Sequence, residues 1–387
     1  MGHRFLEGVR VLDLSQYVPG PYAALILADL GAEVVKVEPP GGEPMRRLPP
    51  RDKDGTSAHY KVMNGGKCVV ELDLKASAGK AAFEALLASA DVMLESYRPG
   101  VLDRLGFTRE HLEACNPRLV HVALSGWGQS GPYRGKAGHD INYMSLGGGL
   151  VASGGKEAPV FAWPPTADFA SGIQAAATAL AALLSRARSG RGAFVDVSLA
   201  ESVLAWQSIG LTSAARGKEA PARARNRLNG GAACYNIYRT KDGGFVSIGN
   251  LEAKFWANFC TAVGRPAWIA RQWEPLPQEA LIAEVGELFA AAPLGHWEEL
   301  LHPVDNCFEP VRSFPELASH PQIAARRLVR ASGGAEPLVE VLYPAWVDGA
   351  PPGPRAPVRF ADAREVVERW AAAVPHPNPL PQAGEGV

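Results

Sequence analysis

Apolar residues over the first two hundred positions switch repeatedly between two spacings. Short β-branched runs, VRVLDL (9–14), EVVKVE (33–38), CVVELDL (68–74), DVMLESY (91–97), LVHVALSG (119–126) and FVDVSLA (194–200), have the continuous apolar character of buried strands. Ala- and Leu-rich segments of helical period lie between them: 21–31, opened by Pro21 and closed by Gly31, then 77–89, 108–115 and 169–187. This alternation predicts an α/β fold, a Rossmann-like large domain with a mostly parallel sheet. The turn after the first strand, SQYVPGP (15–21), has neither the G-x-G-x-x-G nor the Walker pattern. A nicotinamide oxidoreductase therefore rests on fold analogy alone. The glycine clusters LGGGL (146–150) and SGG (153–155) read as turns.

The pattern breaks at SAARGKEAPARARNRLNGGA, which is basic, polar and without apolar periodicity. Residues 1–212 are expected to form the N-terminal part of the large domain and 213–232 a linker. A hairpin, ACYNIYRTKDGGFVSIGN (233–250), turning at KDGG, then opens a small α+β domain over 233–330 with helices at 252–263, 278–291 and 295–301. Residues 331–373 are expected to return to the large domain, ending in a helix at 361–373, and 374–387 has the composition of a disordered tail.

With 39 Lys+Arg against 40 Asp+Glu in 387 residues, nothing in the charge balance selects nucleic acid as a partner. Five scattered cysteines, Cys68, Cys115, Cys234, Cys260 and Cys307, suggest neither a disulfide framework nor a metal site, and fit a reducing cytoplasm. The N-terminus has no apolar signal core, and the Ala/Leu run at 175–184 is far shorter than a membrane span, so no membrane is expected.

Three segments offer chemistry. Asp168 stands where a helix should begin; an N-cap role would explain it, but a carboxylate there beside Ala170, Ser171 and Gly172 could also serve a reacting group near backbone donors. His139 adjoins Asp140 in GKAGHDINY, a titratable imidazole next to a carboxylate. Glu252 follows a predicted strand and opens a helix, which the helix dipole alone would favour. Arg98 and Lys136 are loop cations, solvated charges unless a ligand meets them.

In combination, GVRVLDLSQYVPGPYAALILADLGAEVVKVEPPGG (8–42), YRPGVLDRLGF (97–107), NPRLVHVALSGWGQSGPY (116–133), AGHDINY (137–143), ADFASG (167–172) and SGRGAFVDVSLAES (189–202) resemble the family III CoA-transferases, in motifs closest to its racemase branch. The resemblance covers roughly residues 5–330. It implies an interlocked-ring homodimer acting on acyl-CoA thioesters, with coenzyme A as part of the substrate and no resident cofactor. It further implies that Asp168 is the reactive aspartate, that His139 and Asp168 exchange the α-proton of a 2-methylacyl-CoA, and that Glu252 orients His139. The helix N-terminus after Asp168 would hold the thioester oxygen, and Arg98 and Lys136 would contact the coenzyme. Two alternatives stay open: CoA transfer through an aspartyl-CoA on Asp168, and a non-catalytic CoA-binding protein. Where the family often has Arg after V-K-V-E, this chain has Pro39 and Pro40, leaving Arg46 or Arg47 as the expected substitute.

Overall fold

The computed structural model describes residues 4–217, 220–332 and 336–372. The predicted tail at 374–387, part of the predicted linker and four residues of the C-terminal segment lie outside them. The strands are β1 (Arg10–Asp13), β2 (Glu33–Glu38), β3 (Cys68–Glu71), β4 (Val92–Glu95), β5 (Val120–Ser125), β6 (Ala193–Ser198), β7 (Tyr235–Arg239), β8 (Phe245–Gly249), β9 (Phe308–Pro310), β10 (Val329–Ala331), β11 (Val339–Val341) and β12 (Arg359–Phe360). Seven of them form one sheet in the order β12, β3, β2, β1, β4, β5, β6, with every pairing parallel. This is the expected Rossmann-like class.

The described residues divide into two compact units. Of the described residues, the first takes those in 4–147, 163–203 and 320–372; the second takes those in 148–162 and 204–319. Compared with the boundaries read from sequence, the second unit starts earlier, at 204, and also claims 148–162. In it β7, β8 and β9 form an antiparallel sheet, and helices Ala253–Ala262, Glu279–Ala290 and Leu294–Leu301 bury Trp256, Phe259, Val285, Phe289 and Trp297 with Tyr238 and Val246.

Seven helices of the first unit matter below: α1 (Pro19–Asp29), α2 (Ala58–Met63), α3 (Ser77–Leu87), α4 (Val101–Leu105), α5 (Arg109–Cys115), α6 (Asp140–Leu146) and α7 (Thr166–Ser189). Alternate positions of β1 and β2, Leu12, Leu14, Val35 and Val37, join Phe83, Leu86 and Leu87 of α3 and Trp370 of the C-terminal helix Ala363–Ala372 in one core. β12 adds the C-terminal segment to the sheet edge, Arg359 pairing with Cys68.

On the other alternate positions Asp13 and Lys36, register partners in β1 and β2, are fully buried charges. They belong to a cluster completed by Lys67, Glu38 and Glu43. Lys67 spends all three of its N–H groups, on Asp13 Oδ2 (2.9 Å), Pro21 O (2.8 Å) and Asn64 Oδ1 (3.0 Å). Burial alone would raise the Asp13 carboxyl, but Lys36, Lys67 and the Ser15 hydrogen bond together hold it down at about 2.

The 24-residue α7 is, by length and composition, long and apolar enough to cross a membrane, unlike the run at 175–184 on which the sequence expectation rested. Its small residues Ala167, Ala170, Ser171, Gly172, Ala175, Ala176 and Ala179 are buried instead within the first unit. Gly172 lies against α1: a Cβ placed there would stand 2.7 Å from the backbone oxygen of Pro19. Tyr22 of α1 meets Phe169 of α7 edge to face at 4.7 Å.

Gly172→Val would force α1 and α7 apart. A loss of about 1–3 kcal/mol is expected in urea unfolding, as for other overpacked cores; an unchanged midpoint would show that the helices separate freely.

Candidate active site

The strand order reverses direction at β1. Its chain neighbour β2 lies on one side and β4 on the other, so the loops leaving the carboxyl ends of β1 and β4 part and open a crevice. Gln16 and Tyr17 follow β1, Ser96 to Pro99 follow β4, and Ser125 to Trp127 follow β5; with Arg134, Lys136, His139, Tyr143 and Asp168 they line a cavity of about 250 Å³. Every lining residue belongs to the first unit.

Asp168 is not the N-cap of α7. Pro165 occupies that position and Asp168 is the third residue of the helix, with no capping bond from its side chain. The cap comes through space: Asp140 accepts from the amides of Ala167 (2.7 Å) and Asp168 (3.1 Å), while the Phe169 amide donates to Pro165 O (3.2 Å). These donors, expected to hold a thioester oxygen, are therefore already engaged. Asp140 is itself the first residue of α6, so the start of one helix caps the start of the other. Asp168 gets the burial without the donors. Burial first, and the Asp140 charge second, push its carboxyl up to about 7.

His139 is the N-cap of α6, fixed by its own amide donating to Asn142 Oδ1 at 3.0 Å. Its side chain is exposed on the cavity lining. The Asp140 carboxylate next to it in sequence is the one spent on α7. Tyr143, one turn on, donates to Gly138 O at 2.6 Å and packs edge-on against Trp127 at 4.9 Å. Trp127 in turn donates to Lys136 O at 3.1 Å, so two aromatic side chains fold the loop that carries Lys136 and His139.

Arg98 and Lys136 both line the cavity and both are exposed. The Lys136 ammonium rests 4.0 Å from the centre of the Tyr133 ring. Arg46 is not available as a substitute coenzyme contact: its guanidinium pairs with Glu38 (2.7 Å) and Glu71 (3.2 Å) and lies over Phe360. Arg47 is exposed and donates to Gly41 O at 2.6 Å. Glu252 belongs to the second unit, exposed at the N-cap of helix Ala253–Ala262.

The CoA-transferase family III model matches residues 6–358. The chain belongs to CoA-transferase family III. Among curated relatives in the family, the alpha-methylacyl-CoA racemase of Homo sapiens is 35% identical over 81% of this chain and 80% of its own. The acetyl-CoA:oxalate CoA-transferase of Acetobacter aceti is 32% identical over 85% of this chain and 86% of its own. The crystal structure of Rv3272 from M. tuberculosis superposes with a TM-score of 0.79 at 28% identity, covering 94% of this chain and 98% of that one. A CAIB/BAIF family protein from Brucella suis shares the fold with a TM-score of 0.81 at 24% identity, over 95% and 99% of the two chains.

Gln16, Tyr17, Ser96, Tyr97 and Tyr143 were not singled out from sequence. For the first four the signal is positional, since they follow the carboxyl ends of β1 and β4, which flank the order reversal; Tyr143 lies in α6 and carries no such signal. Asp140 was noticed only as a neighbour of His139, because its partners in α7 lie 27 and 28 residues away.

Asp140→Asn keeps an acceptor for the α7 amides and removes the charge. The Asp168 titration, followed by ¹³C NMR of labelled aspartate, should move from about 7 to lower pH; an unmoved titration would assign the whole shift to burial.

Proposed function

We propose that this chain epimerises a 2-methylacyl-CoA. One of His139 and Asp168 removes the α-proton and the other delivers a proton to the opposite face of the enolate, so the electron pair left by the C–H bond returns to a new C–H bond. The observation that carries this reading is that His139 and Asp168 line the same cavity, with Asp168 shifted to about 7 by burial and by Asp140. A carboxyl at that value both gives and takes a proton near neutrality, which removal in one direction and return in the other require. Arg98 and Lys136 supply positive charge at the cavity for the phosphates of the coenzyme. Glu252 stands as the acid orienting His139 on the family resemblance alone.

CoA transfer is the second reading, supported by the match to a transferase over as much of the chain as to a racemase. There the Asp168 carboxylate attacks the thioester carbonyl and expels CoA thiolate. The anhydride so formed is converted to aspartyl-CoA as the acyl group leaves as its carboxylate, and a second acid then takes the CoA. Asp168 serves both readings; His139 separates them.

We also propose a cytoplasmic homodimer. Both units carry strongly exposed large side chains, Trp163 (77%) in the first, Phe161 (84%) and Ile209 (81%) in the second, a share of apolar surface that a second copy would cover.

Incubation with one enantiomer of a 2-methylacyl-CoA in deuterated water, without acceptor acid, is expected to place deuterium at the α-carbon with epimerisation. His139→Ala should lower that rate at least about a hundredfold, the usual scale of a lost acid/base group. No exchange in the parent, together with CoA movement to an added carboxylic acid, would select the transferase. For the assembly, light scattering should return about twice the 41.1 kDa chain mass; the monomer value would refute the dimer.

A further inference from the structure

The turn Ser15–Gln16–Tyr17 is held in an unusual way. Its three successive amides donate to side chains from three different segments: Ser15 N to Asp13 Oδ1 (2.9 Å), Gln16 N to Ser96 Oγ (2.9 Å) and Tyr17 N to Glu43 Oε2 (2.9 Å). The carbonyl of Ser15 accepts from Lys36 Nζ at 2.7 Å. Tyr17 has a φ of +63°, the left-handed region that a bulky residue enters only when its surroundings impose it. Both Gln16 and Tyr17 line the cavity that Asp168 and His139 share.

The groups that hold this turn are themselves locked. Lys36 and Glu43 are fully buried and paired at 3.3 Å, with Asp13 Oδ2 3.8 Å from the same ammonium. Glu38 fixes Glu43 from behind, accepting from its amide at 2.9 Å while also accepting from the Tyr60 hydroxyl (2.7 Å) and pairing with Arg46 (2.7 Å). Asp13, Glu38 and Glu43 face Lys36, Lys67 and Arg46, the last of which also pairs with the exposed Glu71. A buried ion pair is weak in stability terms against an apolar replacement of the same size. Aimed at a strained turn of the site, it has a different use.

We propose that the buried Lys36–Glu43 pair is a positioning device for the reaction: it imposes the left-handed turn at Tyr17 and so fixes the cavity wall made by Gln16 and Tyr17 opposite the reacting groups. Glu43 and Lys36 touch no substrate and act through Tyr17 and Ser15. The proposal deepens the functional reading above and rests on this cavity being the reaction site.

The test uses the full chain with Glu43→Ala and the charge-balanced double replacement Lys36→Met with Glu43→Gln, the latter in case the first does not fold. Hydrogen exchange by mass spectrometry on peptides spanning 14–18 reads the turn without any activity. Turnover and KM are read in both the deuterium-exchange and the CoA-transfer assay, and CoA alone is titrated by calorimetry. Exchange protection of the turn should fall at least tenfold with that of β4 and β5 retained. Turnover should fall at least tenfold, with KM and CoA affinity within about twofold. Turn protection lost with turnover unchanged, or both unchanged in a folded variant, would overturn the proposal; so would turnover and CoA binding falling together in proportion to unfolded protein. Failure of the functional reading would show instead in the parent, as absent proton exchange, while the exchange protection of the turn still reports on the pair.

Discussion

The constraint on which this molecule depends is the reversal of strand order at β1. In a parallel sheet the right-handed crossover fixes where each returning strand can go, so a chain that builds outward from one central strand first to one side and then to the other must leave its loops divided there. Here the divided loops are those after β1 and β4, and the cavity lies between them. The seven-stranded sheet makes the crevice; α7 brings the Asp168 carboxyl to it. α7 can do so because its buried face is almost bare of side chain. Alanine, serine and glycine let it approach α1 to backbone distance, and that approach fixes where its first turn points.

What the first turn carries is decided by a second segment. A helix start normally stabilises an acid placed in it, yet Asp168 is pushed toward neutrality first by burial and then by Asp140, which has taken the donors and brought a charge of its own. Donors at the start of α7 would have favoured the ionised form of Asp168; the geometry gives them to Asp140 instead.

Much of the fold was legible. The N-terminal strands are short β-branched runs, most of them buried, so all six were placed within a few residues of where they lie. The short elements α2, α4 and α6 were missed, being five to seven residues long, too short to show a period. FVDVSLA reads as one strand through Ala200, but the chain leaves the sheet at Ser198 and turns straight into a helix at Leu199. The site was legible in kind more than in arrangement. Asp168 and His139 could be named, but the capping by Asp140, the engagement of Arg46 by Glu38, Glu71 and Phe360, and the pinning of Tyr17 by Glu43 are contacts between segments distant in sequence. Loop cations in particular look alike until the fold shows which are already paired.

The Asp140 cap has a thermodynamic side. The folded chain keeps a proton on Asp168 up to about pH 7, whereas the unfolded chain releases it near the ordinary carboxylate value of 3.8. Between those two values the native state binds more protons, so this one group makes folding less favourable as pH rises. Its acidity is also a property of order: once unfolding removes the burial and the Asp140 charge together, Asp168 is an ordinary aspartate, ionised at neutrality. A proton held at Asp168 near neutrality is therefore a mark of the folded first unit, which an unfolded chain does not carry.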